Sequence, residues 1–368
     1  MDAGAHSIGR VEVGAYTIPT DAPESDGTIE WHSTTIVIVH VHAAGTTGLG
    51  YAYTHTGAAA IVREQLAPLL EDGNPFDIPG HYVRMVNAVR NIGRPGVAAS
   101  AISAVDVALW DLKSRLLGLP LVSALGSARE GIRVYGSGCF TSYSIERLRD
   151  QLGGWVAEGI RDVKMKIGRD AGADPDRVAQ ARMAIGPDAG LFVDANGGYT
   201  RTQALAQAHV FAEQGVVWFE EPVSSDDLEG LRALRDRAPA GMSIAAGEYG
   251  YQPVYFRRML QAGAVDVLQA DATRCGGVTG FLAVDALCDA WNVPLSAHTA
   301  PSIHAHACAA APRACNLEYF HDHVRIEQML FDGVQRPVDG VLRPDRSRPG
   351  LGLELKRRDA ERFAAHAR

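Results

Sequence analysis

The stretch Asp162-Val163-Lys164-Met165-Lys166-Ile167 places two lysines two positions apart in a short, otherwise apolar segment. Successive side chains of a β-strand alternate between faces, so Lys164 and Lys166 should share one face and Met165 should take the other. Two ammonium groups on one buried face repel each other and are costly to desolvate. Each lysine should therefore lower the pKa of the other and create a proton acceptor near neutral pH. The alternative is a pair of solvated lysines on an edge strand, because most lysines lie on protein surfaces.

The size and composition of the chain fit a globular protein without a general basic surface. Its 368 residues exceed one ordinary domain and fit a large barrel with a smaller unit. A formal net charge of −8 argues against a nucleic-acid partner. The sequence has no apolar run of membrane-spanning length and no secretory signal pattern, so we expect no membrane partner. Five scattered cysteines without a Cys-x-x-Cys pair indicate a reducing cytoplasm and no zinc cluster.

Residues 1–128 are predicted to form an α+β unit in which strands come first and helices follow. Strands are predicted at residues 9–18 and 34–43, and the main helix at residues 97–117. The polar stretch between the two strands, residues 19–32, is predicted to be a mobile loop. Residues 326–368 are predicted to return to this unit and to end in a charged helix at residues 355–365.

Residues 129–325 contain short apolar stretches that alternate with helical patterns. The stretches predict eight strands, at residues 133–137, 162–167, 191–195, 217–220, 243–246, 266–270, 294–297 and 316–320. Eight such strands with crossover helices are typical of a closed parallel barrel. An open, doubly wound sheet is the alternative, but no Gly-x-Gly-x-x-Gly follows a first strand, as a nucleotide-binding sheet of that kind would show.

An ionisable residue stands at the end of nearly every predicted barrel strand. These residues are Lys164, Asp194, Glu220, Glu248, Asp271, His298 and Glu318, at successive intervals of 30, 26, 28, 23, 27 and 20 residues. Each interval is about one strand–helix unit, so the side chains should converge on one mouth of the barrel. That mouth is where barrel enzymes carry out their chemistry.

Asp194, Glu220 and Glu248 come from three consecutive predicted strands. Three carboxylates brought together repel one another and need a cation if all are to stay ionised. Oxygen ligands suit a hard ion, so Mg²⁺ is the predicted cofactor and Mn²⁺ the alternative. Asp271 and His298 belong to adjacent strands and can pair, which would orient the imidazole and raise its basicity.

The chain resembles, over essentially its whole length, the mandelate racemase subgroup of the enolase superfamily. The residues that carry the resemblance are Lys-Met-Lys at 164–166, Val-Asp-Ala-Asn at 193–196, Phe-Glu-Glu-Pro at 219–222, Gly-Glu at 247–248, Asp271 followed by Gly-Gly-Val-Thr-Gly at 276–280, and His298. The heptapeptide Asp-Val-Ala-Leu-Trp-Asp-Leu at 106–112 is also similar to this family. Each motif is weak singly, whereas their order and spacing together are specific.

The resemblance implies a modified (β/α)7β barrel of the TIM type, with an α+β capping domain that the C-terminal segment completes. It implies Mg²⁺ held by Asp194, Glu220 and Glu248, and removal of the proton alpha to a substrate carboxylate through a metal-stabilised enolate. The family pattern makes Glu220 the ligand and leaves its neighbour Glu221 outside the metal shell.

The resemblance also assigns roles around the substrate, which would be a small-molecule carboxylate. Lys166 and His298 would face opposite sides of the alpha carbon, and Lys164 would help to neutralise the carboxylate. Glu318 would hydrogen-bond the same carboxylate, best as a protonated acid. By family analogy the polar stretch 19–32, with Tyr51, covers the substrate. We therefore predict substrate contacts from His32, Tyr53, His55 and Asn196.

Dehydration of an aldonate or aldarate to a 2-keto-3-deoxy acid is the leading functional hypothesis, because a polar lid offers a polyol many hydrogen-bond partners. A racemase, epimerase or lactone cycloisomerase would use the same two bases. A non-catalytic barrel that binds sugar acids is the alternative from a different class. Barrels of this resemblance often assemble, so a homo-oligomer is predicted.

Several other polar residues have structural interpretations. His304 and His306 are predicted to be structural, His40 and His42 to lie on the surface, and His321-Asp322-His323 to form a solvated loop. Arg274 would either neutralise the site or form a structural ion pair.

Overall fold

The N-terminal unit is an antiparallel sheet backed by one long helix. A computed structural model describes residues 7–365. The sheet has the order β1 (Ile8–Ser25), β2 (Glu30–Ala43) and β3 (Thr46–Tyr53), and the helices that follow are α1 (Gly57–Ile61), α2 (Ile78–Ala88), α3 (Val97–Leu116) and α4 (Leu121–Leu125). A π-helical turn, Val62–Leu66, and a 3₁₀ turn, Ala67–Leu69, extend α1.

Helix α3 lies directly on the sheet because both contact surfaces carry small or β-branched residues. Alternate valines of β2, such as Val37 and Val39, are buried in one apolar cluster with Ala104 and Ala108 of α3. A Cβ at Gly50 of β3 would lie 2.2 Å from the carbonyl oxygen of Ala104, so only glycine permits this approach. The predicted strands and main helix of this unit are confirmed.

The prediction of a mobile loop at residues 19–32 is wrong, because β1 and β2 stay paired almost to their tip. Ser25 pairs with Glu30, and an irregularity in register lies between Pro19 and Glu24. The Oδ1 atom of Asp26 closes the turn by accepting hydrogen bonds from the backbone N–H groups of Thr28, at 2.6 Å, and Ile29, at 2.8 Å. The polar residues of this stretch therefore belong to a long hairpin.

The second unit is a closed parallel barrel. Its strands are β4 (Ile132–Gly138), β5 (Asp162–Lys166), β6 (Gly190–Asp194), β7 (Val216–Glu220), β8 (Ser243–Ala246), β9 (Val267–Ala270), β10 (Leu295–Ala297) and β11 (Ala314–Phe320). Each strand pairs with the next in chain order, and β11 returns to β4. All eight predicted strands are confirmed, with ends that differ by two residues or fewer.

Seven helices connect the eight strands, which gives the (β/α)7β arrangement. They are α5 (Ile145–Ala157), α6 (Asp174–Ile185), α7 (Arg201–Glu213), α8 (Leu228–Arg235), α9 (Pro253–Ala262), α10 (Gly277–Trp291) and α11 (Pro301–Ala310), and α12 (His321–Leu330) follows the last strand. Thr200 caps α7, because its hydroxyl accepts from the N–H of Gln203, whose side chain reaches back in a capping box.

The barrel interior has an aromatic layer beneath a charged layer. Tyr135, Phe192 and Trp218 form a buried cluster inside the barrel with Ala245 and Val267. Side chains two positions further along the same strands point to the same interior. This alternation places Asp194 above Phe192 and Glu220 above Trp218, at the carboxyl end of the barrel.

The C-terminal segment contacts both units. It contains β12 (Phe331–Asp332), β13 (Val341–Leu342), β14 (Glu354–Leu355) and α13 (Arg357–Ala360). Strand β13 pairs with β4 of the barrel, and the N–H of Ala365 donates to the carbonyl of Ala15 in β1 at 2.8 Å. The predicted charged helix at 355–365 is wrong: only α13 and a 3₁₀ turn form, since Ala360 alone is buried there. Within residues 7–365, no helix has the length and apolar character needed to cross a membrane.

Candidate active site

Three carboxylates meet at the carboxyl end of the barrel. Asp194 ends β6, Glu220 ends β7 and Glu248 follows β8, and one oxygen from each lies within 4.8 Å of the others. All three are buried. The glycine before Glu248 is required, because Gly247 has a φ of +140° and a Cβ there would lie 2.1 Å from the carbonyl of Gln269. The three predicted ligands thus come together as a set of oxygen donors suited to a hard divalent ion.

Both lysines of β5 point into the barrel, as predicted, and bind the carboxylates. The Lys164 Nζ atom lies 2.6 Å from Oε1 of Glu220 and 2.9 Å from Oε1 of Glu318. The Lys166 Nζ atom lies 2.5 Å from Oδ2 of Asp194 and 3.0 Å from Oδ1 of Asn196. The ammonium groups therefore form a second charged row across the barrel mouth.

The predicted lowering of the lysine pKa values is wrong in direction. Burial disfavours the charged amine, and Lys164 does lower the pKa of Lys166, but Asp194, Glu248 and Glu220 together outweigh these two effects and raise that pKa above its usual value. For Lys164, burial is likewise outweighed by Glu220 and Glu318, which hold its pKa well above normal. The sequence predicted the repulsion between the lysines and the carboxylates at the same mouth, but not which carboxylate lies within ion-pair distance of each amine.

His298 and Asp271 form the predicted pair. The Nδ1 atom of His298 lies 2.8 Å from Oδ2 of Asp271, and its Nε2 atom lies 3.2 Å from Oε2 of Glu248. Burial opposes protonation of the imidazole, but Glu248, Glu318 and Asp271 together raise the pKa of His298 to about 9. The pair holds the ring so that Nε2 faces the carboxylate cluster.

The surroundings of Glu318 favour its ionised form, in contrast to the protonated acid expected beside a substrate carboxylate. Its Oε1 atom accepts a hydrogen bond from the Ser137 hydroxyl at 2.5 Å and lies beside the Lys164 ammonium. Burial opposes ionisation, but Lys164 and then His298 lower the pKa of Glu318 to about 2.

A cavity of about 420 Å³, here called the reaction cavity, lies between the barrel mouth and the β1–β2 hairpin. The barrel lines it with Lys166, Asn196, Glu248, Tyr249, Arg274, His298, Thr299, Glu318, Phe320 and His323, and the capping unit with Asp26, Ile29, Trp31, Ser33, Thr34, Thr35, Tyr53 and Thr54. Two of the predicted substrate contacts, Tyr53 and Asn196, line this cavity.

The structure places His32 and His55 outside the reaction cavity. The side chain of His32 is 72% exposed, because strand alternation turns it away from the face that carries Trp31. His55 is exposed, and its Nδ1 atom accepts a hydrogen bond from the N–H of Gly57. Once residues 19–32 are recognised as a paired strand, alternation places Trp31 and His32 on opposite faces, and Trp31 is the one that lines the cavity.

The prediction of a solvated loop at 321–323 is wrong, because these residues begin α12 and two of them are buried. The ring of His323 stacks on Tyr53 with centroids 3.4 Å apart, so it joins the cavity wall. His304 is structural, as predicted: its Nε2 atom accepts from the N–H of Ala272 at 2.9 Å, and its Nδ1 atom lies 2.7 Å from the Thr299 carbonyl. His306 is buried in the same helix and accepts from a backbone N–H.

His40 is half-buried instead of lying on the surface, and burial lowers its pKa to about 4.

Arg274 forms ion pairs within the site. Its Nη1 atom donates to the Glu248 carbonyl at 3.0 Å, and its Nε atom lies 3.6 Å from Oδ2 of Asp271. It therefore both offsets charge at the reaction cavity and holds the loops after β8 and β9 together.

Comparison with known proteins agrees with this geometry. Residues 15–126 match the family model for the mandelate racemase / muconate lactonizing enzyme N-terminal domain, and residues 147–360 match the model described as enolase C-terminal domain-like. A 3,6-anhydro-alpha-L-galactonate cycloisomerase of Streptomyces coelicolor is 33% identical over 364 residues, which is 95% of this chain and 98% of that protein.

Two solved structures share the whole architecture. A mandelate racemase/muconate lactonizing enzyme-like protein from Rubrobacter xylanophilus is 55% identical, with a TM-score of 0.96 over 98% of this chain and 100% of that chain. L-Talarate dehydratase from Polaromonas sp. JS666, crystallised with Mg and L-glucarate, is 31% identical, with a TM-score of 0.89 and coverage of 98% of both chains.

Proposed function

Because the chain belongs to the mandelate racemase/muconate lactonizing enzyme family of the enolase superfamily, we propose that it is a Mg²⁺-dependent acid-sugar dehydratase. The reaction would begin with removal of the proton alpha to the substrate carboxylate. One observation carries the proposal: Lys166 and His298 line the same cavity from distant barrel strands, on either side of the carboxylate cluster. In barrel order, β5 and β10 are separated by β4 and β11 on one side and by four strands on the other.

The carboxylate cluster fits a magnesium ion. Asp194, Glu220 and Glu248 offer oxygen atoms only, they are buried, and they lie within 4.8 Å of one another. The magnesium in the Polaromonas relative supports the same cofactor here. When bound, the ion would act as a Lewis acid that stabilises negative charge developing on the substrate carboxylate.

The side chains of this chain supply the remaining chemistry. Lys164, held between Glu220 and Glu318, places a fixed positive charge where the substrate carboxylate would lie. The negative charge of Asp194, which raises the pKa of Lys166, would be offset by bound Mg²⁺, so that the neutral amine would take the alpha proton. His298, oriented by Asp271, would protonate the hydroxyl that leaves the next carbon. The C–H and C–O bonds break, water departs, and the resulting enol tautomerises to a 2-keto-3-deoxy acid.

A cycloisomerase or epimerase is the second candidate, and the Streptomyces coelicolor relative favours it. In that case His298 would return a proton to the opposite face of the alpha carbon, or protonate a ring oxygen as it leaves. The same pair of bases serves both reactions, so the substrate decides between them.

Incubation of the protein with Mg²⁺ and a panel of aldonates, aldarates and their lactones tests the proposal. We expect keto-acid formation from at least one acid sugar, and Lys166→Ala should lose it by about 10²–10⁴-fold. If a substrate exchanges its alpha proton in D₂O with inversion and no keto acid forms, the protein is an epimerase and the dehydratase proposal is wrong. If no member of the panel is turned over and none exchanges its alpha proton, the result would favour a non-catalytic barrel that binds sugar acids.

A further inference from the structure

A second chamber of about 540 Å³ adjoins the reaction cavity. Asn196 and Tyr249 line both volumes, so the two share a wall at the ends of β6 and β8. The loops after β6, β7 and β8 and Tyr255 of α9 form the rest of the barrel side of this chamber, and Thr28 and Pro95 line it from the capping unit. A substrate whose carboxylate lies beside Lys164 and Lys166 can extend its other end into this space.

The walls of the chamber carry several hydrogen-bonding groups and no fixed positive charge. Hydroxyl groups come from Ser224, Ser225 and Tyr251, and an amide comes from Gln252. Its acidic members are Glu221 and Asp226, and no lysine, arginine or histidine is among the described residues that line it.

Glu221 supplies an independent sign that the chamber binds a ligand. Its side chain is 1% exposed, and its Oε1 atom has no hydrogen-bond partner. Buried polar atoms in folded proteins are nearly always paired with protein, water or ligand. Glu221 therefore brings to the chamber wall a buried oxygen that would gain a partner if a ligand hydroxyl group reached it.

We infer that this chamber is the subsite for the distal end of the substrate, and that it takes an uncharged, hydroxylated chain. The inference rests on the proposed function and narrows its substrate class to monocarboxylic acid sugars, with discrimination against diacids. A second carboxylate would lose its hydration next to Glu221 and Asp226 without gaining a cation. A terminal CH₂OH group can instead donate to these oxygens and accept from the hydroxyl and amide groups.

Arg274 does not supply a positive charge to the second chamber. Its guanidinium lies 5.5 Å from the ring centre of Tyr249, but its N–H groups face Glu248 and Asp271. It lines the reaction cavity and not the second chamber. Its charge is thus already balanced by the carboxylates of the reaction centre.

Matched substrate pairs test the inference. Each pair is an aldonate and the aldarate of the same chain length and configuration, so the members differ only in CH₂OH or carboxylate at the far end. We expect kcat/KM for the aldonate to exceed that for the aldarate by at least about tenfold. Equal values, or a preference for the aldarate in every pair that is turned over, would overturn the inference and leave the dehydratase proposal intact.

A variant that adds a positive charge to the chamber supplies a second test. Gln252→Lys nearly preserves side-chain length and should raise the aldarate-to-aldonate ratio of kcat/KM by at least about tenfold. Gln65→Lys makes the same change at an exposed position in the π-helical turn Val62–Leu66, outside the chamber, and should leave the ratio unchanged. The inference fails if the two variants give the same ratio.

Calorimetric measurement of the binding of the same pairs, in the presence of Mg²⁺, tests the subsite separately from the dehydratase reaction. Tighter binding of the aldonate without any keto-acid formation would retain the subsite and reject the dehydratase. Equal affinities for aldonate and aldarate, or no binding of either, would reject the subsite whatever the turnover.

Discussion

Glu220 and Glu221 are neighbours in sequence but face different surroundings. The Oε1 atom of Glu220 accepts a hydrogen bond from Lys164 at 2.6 Å, its Oε2 atom accepts from the Trp218 indole at 3.0 Å, and its carboxylate belongs to the three-carboxylate cluster. Glu221 has a φ of +37° and lines the second chamber. The geometry thus favours Glu220 as the metal ligand, in agreement with the family pattern.

Paired substitutions test this assignment. Glu220→Gln should weaken Mg²⁺ binding by at least about tenfold, because a hard cation loses a charged oxygen ligand. Glu221→Gln is the matched control and should change the Mg²⁺ dissociation constant by no more than about twofold, since its carboxylate lies outside the cluster. Titration calorimetry with Mg²⁺ gives both constants. Similar losses in the two variants would show that the assignment is wrong.

The reaction-centre residues could be predicted from sequence, but their charge states could not. Lys164, Lys166, Asp194, Glu220 and Glu318 all end up inside one barrel mouth because each stands near the end of a strand. The direction of each pKa shift depends instead on which carboxylate lies closest to which amine. Those distances arise from strand register and rotamers, which a linear pattern does not specify.

At the level of secondary structure, the β1–β2 hairpin places Trp31 and other residues of the capping unit in the wall of the reaction cavity. The indole N–H of Trp31 donates to Oε2 of Glu24 at 2.8 Å, and its ring meets Phe140 edge to face with centroids 5.4 Å apart. These two contacts hold Trp31 over the reaction cavity. His32, the next residue along β2, points to solvent.

Alanine substitutions at Trp31 and His32 should therefore have different effects on kcat/KM. Trp31→Ala should lower kcat/KM by at least about tenfold, mainly through KM, because it removes a large aromatic wall from the cavity. His32→Ala should stay within about twofold of the parent protein. The Mg²⁺ dissociation constant should be unchanged in both, since neither side chain is near the carboxylate cluster. An equal loss of kcat/KM in the two variants would contradict this account of the hairpin.

The barrel strands were predictable and the hairpin tip was not, for one physical reason. A barrel strand such as β6 is buried on both faces below the barrel mouth, so its sequence shows an apolar run that ends at Asp194. The tip of β1 and β2 faces the barrel mouth and solvent, so it carries Asp21, Glu24 and His32 without losing its strand pairing. Polarity there reflects what the strands cover and not the absence of regular structure.

At the scale of the whole molecule, helix α3 of the capping unit contacts helix α10 of the barrel. Asp106 of α3 accepts hydrogen bonds from the N–H of Thr279, at 3.0 Å, and from its hydroxyl, at 2.6 Å, in the first turn of α10. Trp110 also donates to the Thr279 hydroxyl, at 2.9 Å. A Cβ at Gly277 would lie 2.1 Å from Oδ1 of Asp106, so glycine is needed for the two helices to meet. The motif at 106–112 therefore joins the two units.

Burial raises the pKa of Asp106 to about 7, although the hydrogen bonds from Thr279 and the N–H of Val278 lower it. The pKa of an unfolded aspartate is about 3.9. Between these values the folded protein retains a proton that the unfolded chain has lost. The free energy of unfolding should therefore fall as the pH rises from about 4 to 7, by on the order of 2–4 kcal/mol from this group.

Asp106→Asn should remove this contribution, because the amide stays neutral and its oxygen can still accept one hydrogen bond from Thr279. Relative to the parent protein, the variant should thus gain on the order of 2–4 kcal/mol between pH 5 and pH 8 in urea unfolding experiments. Asp188→Asn is a control at an exposed position, and its free energy of unfolding should change between pH 5 and pH 8 as that of the parent protein does. Parallel curves for the parent and Asp106→Asn would mean that Asp106 is already ionised at pH 5. The pairing of α3 with α10 would then resemble a helix cap held by charge, with the Thr279 hydrogen bonds outweighing the cost of burial.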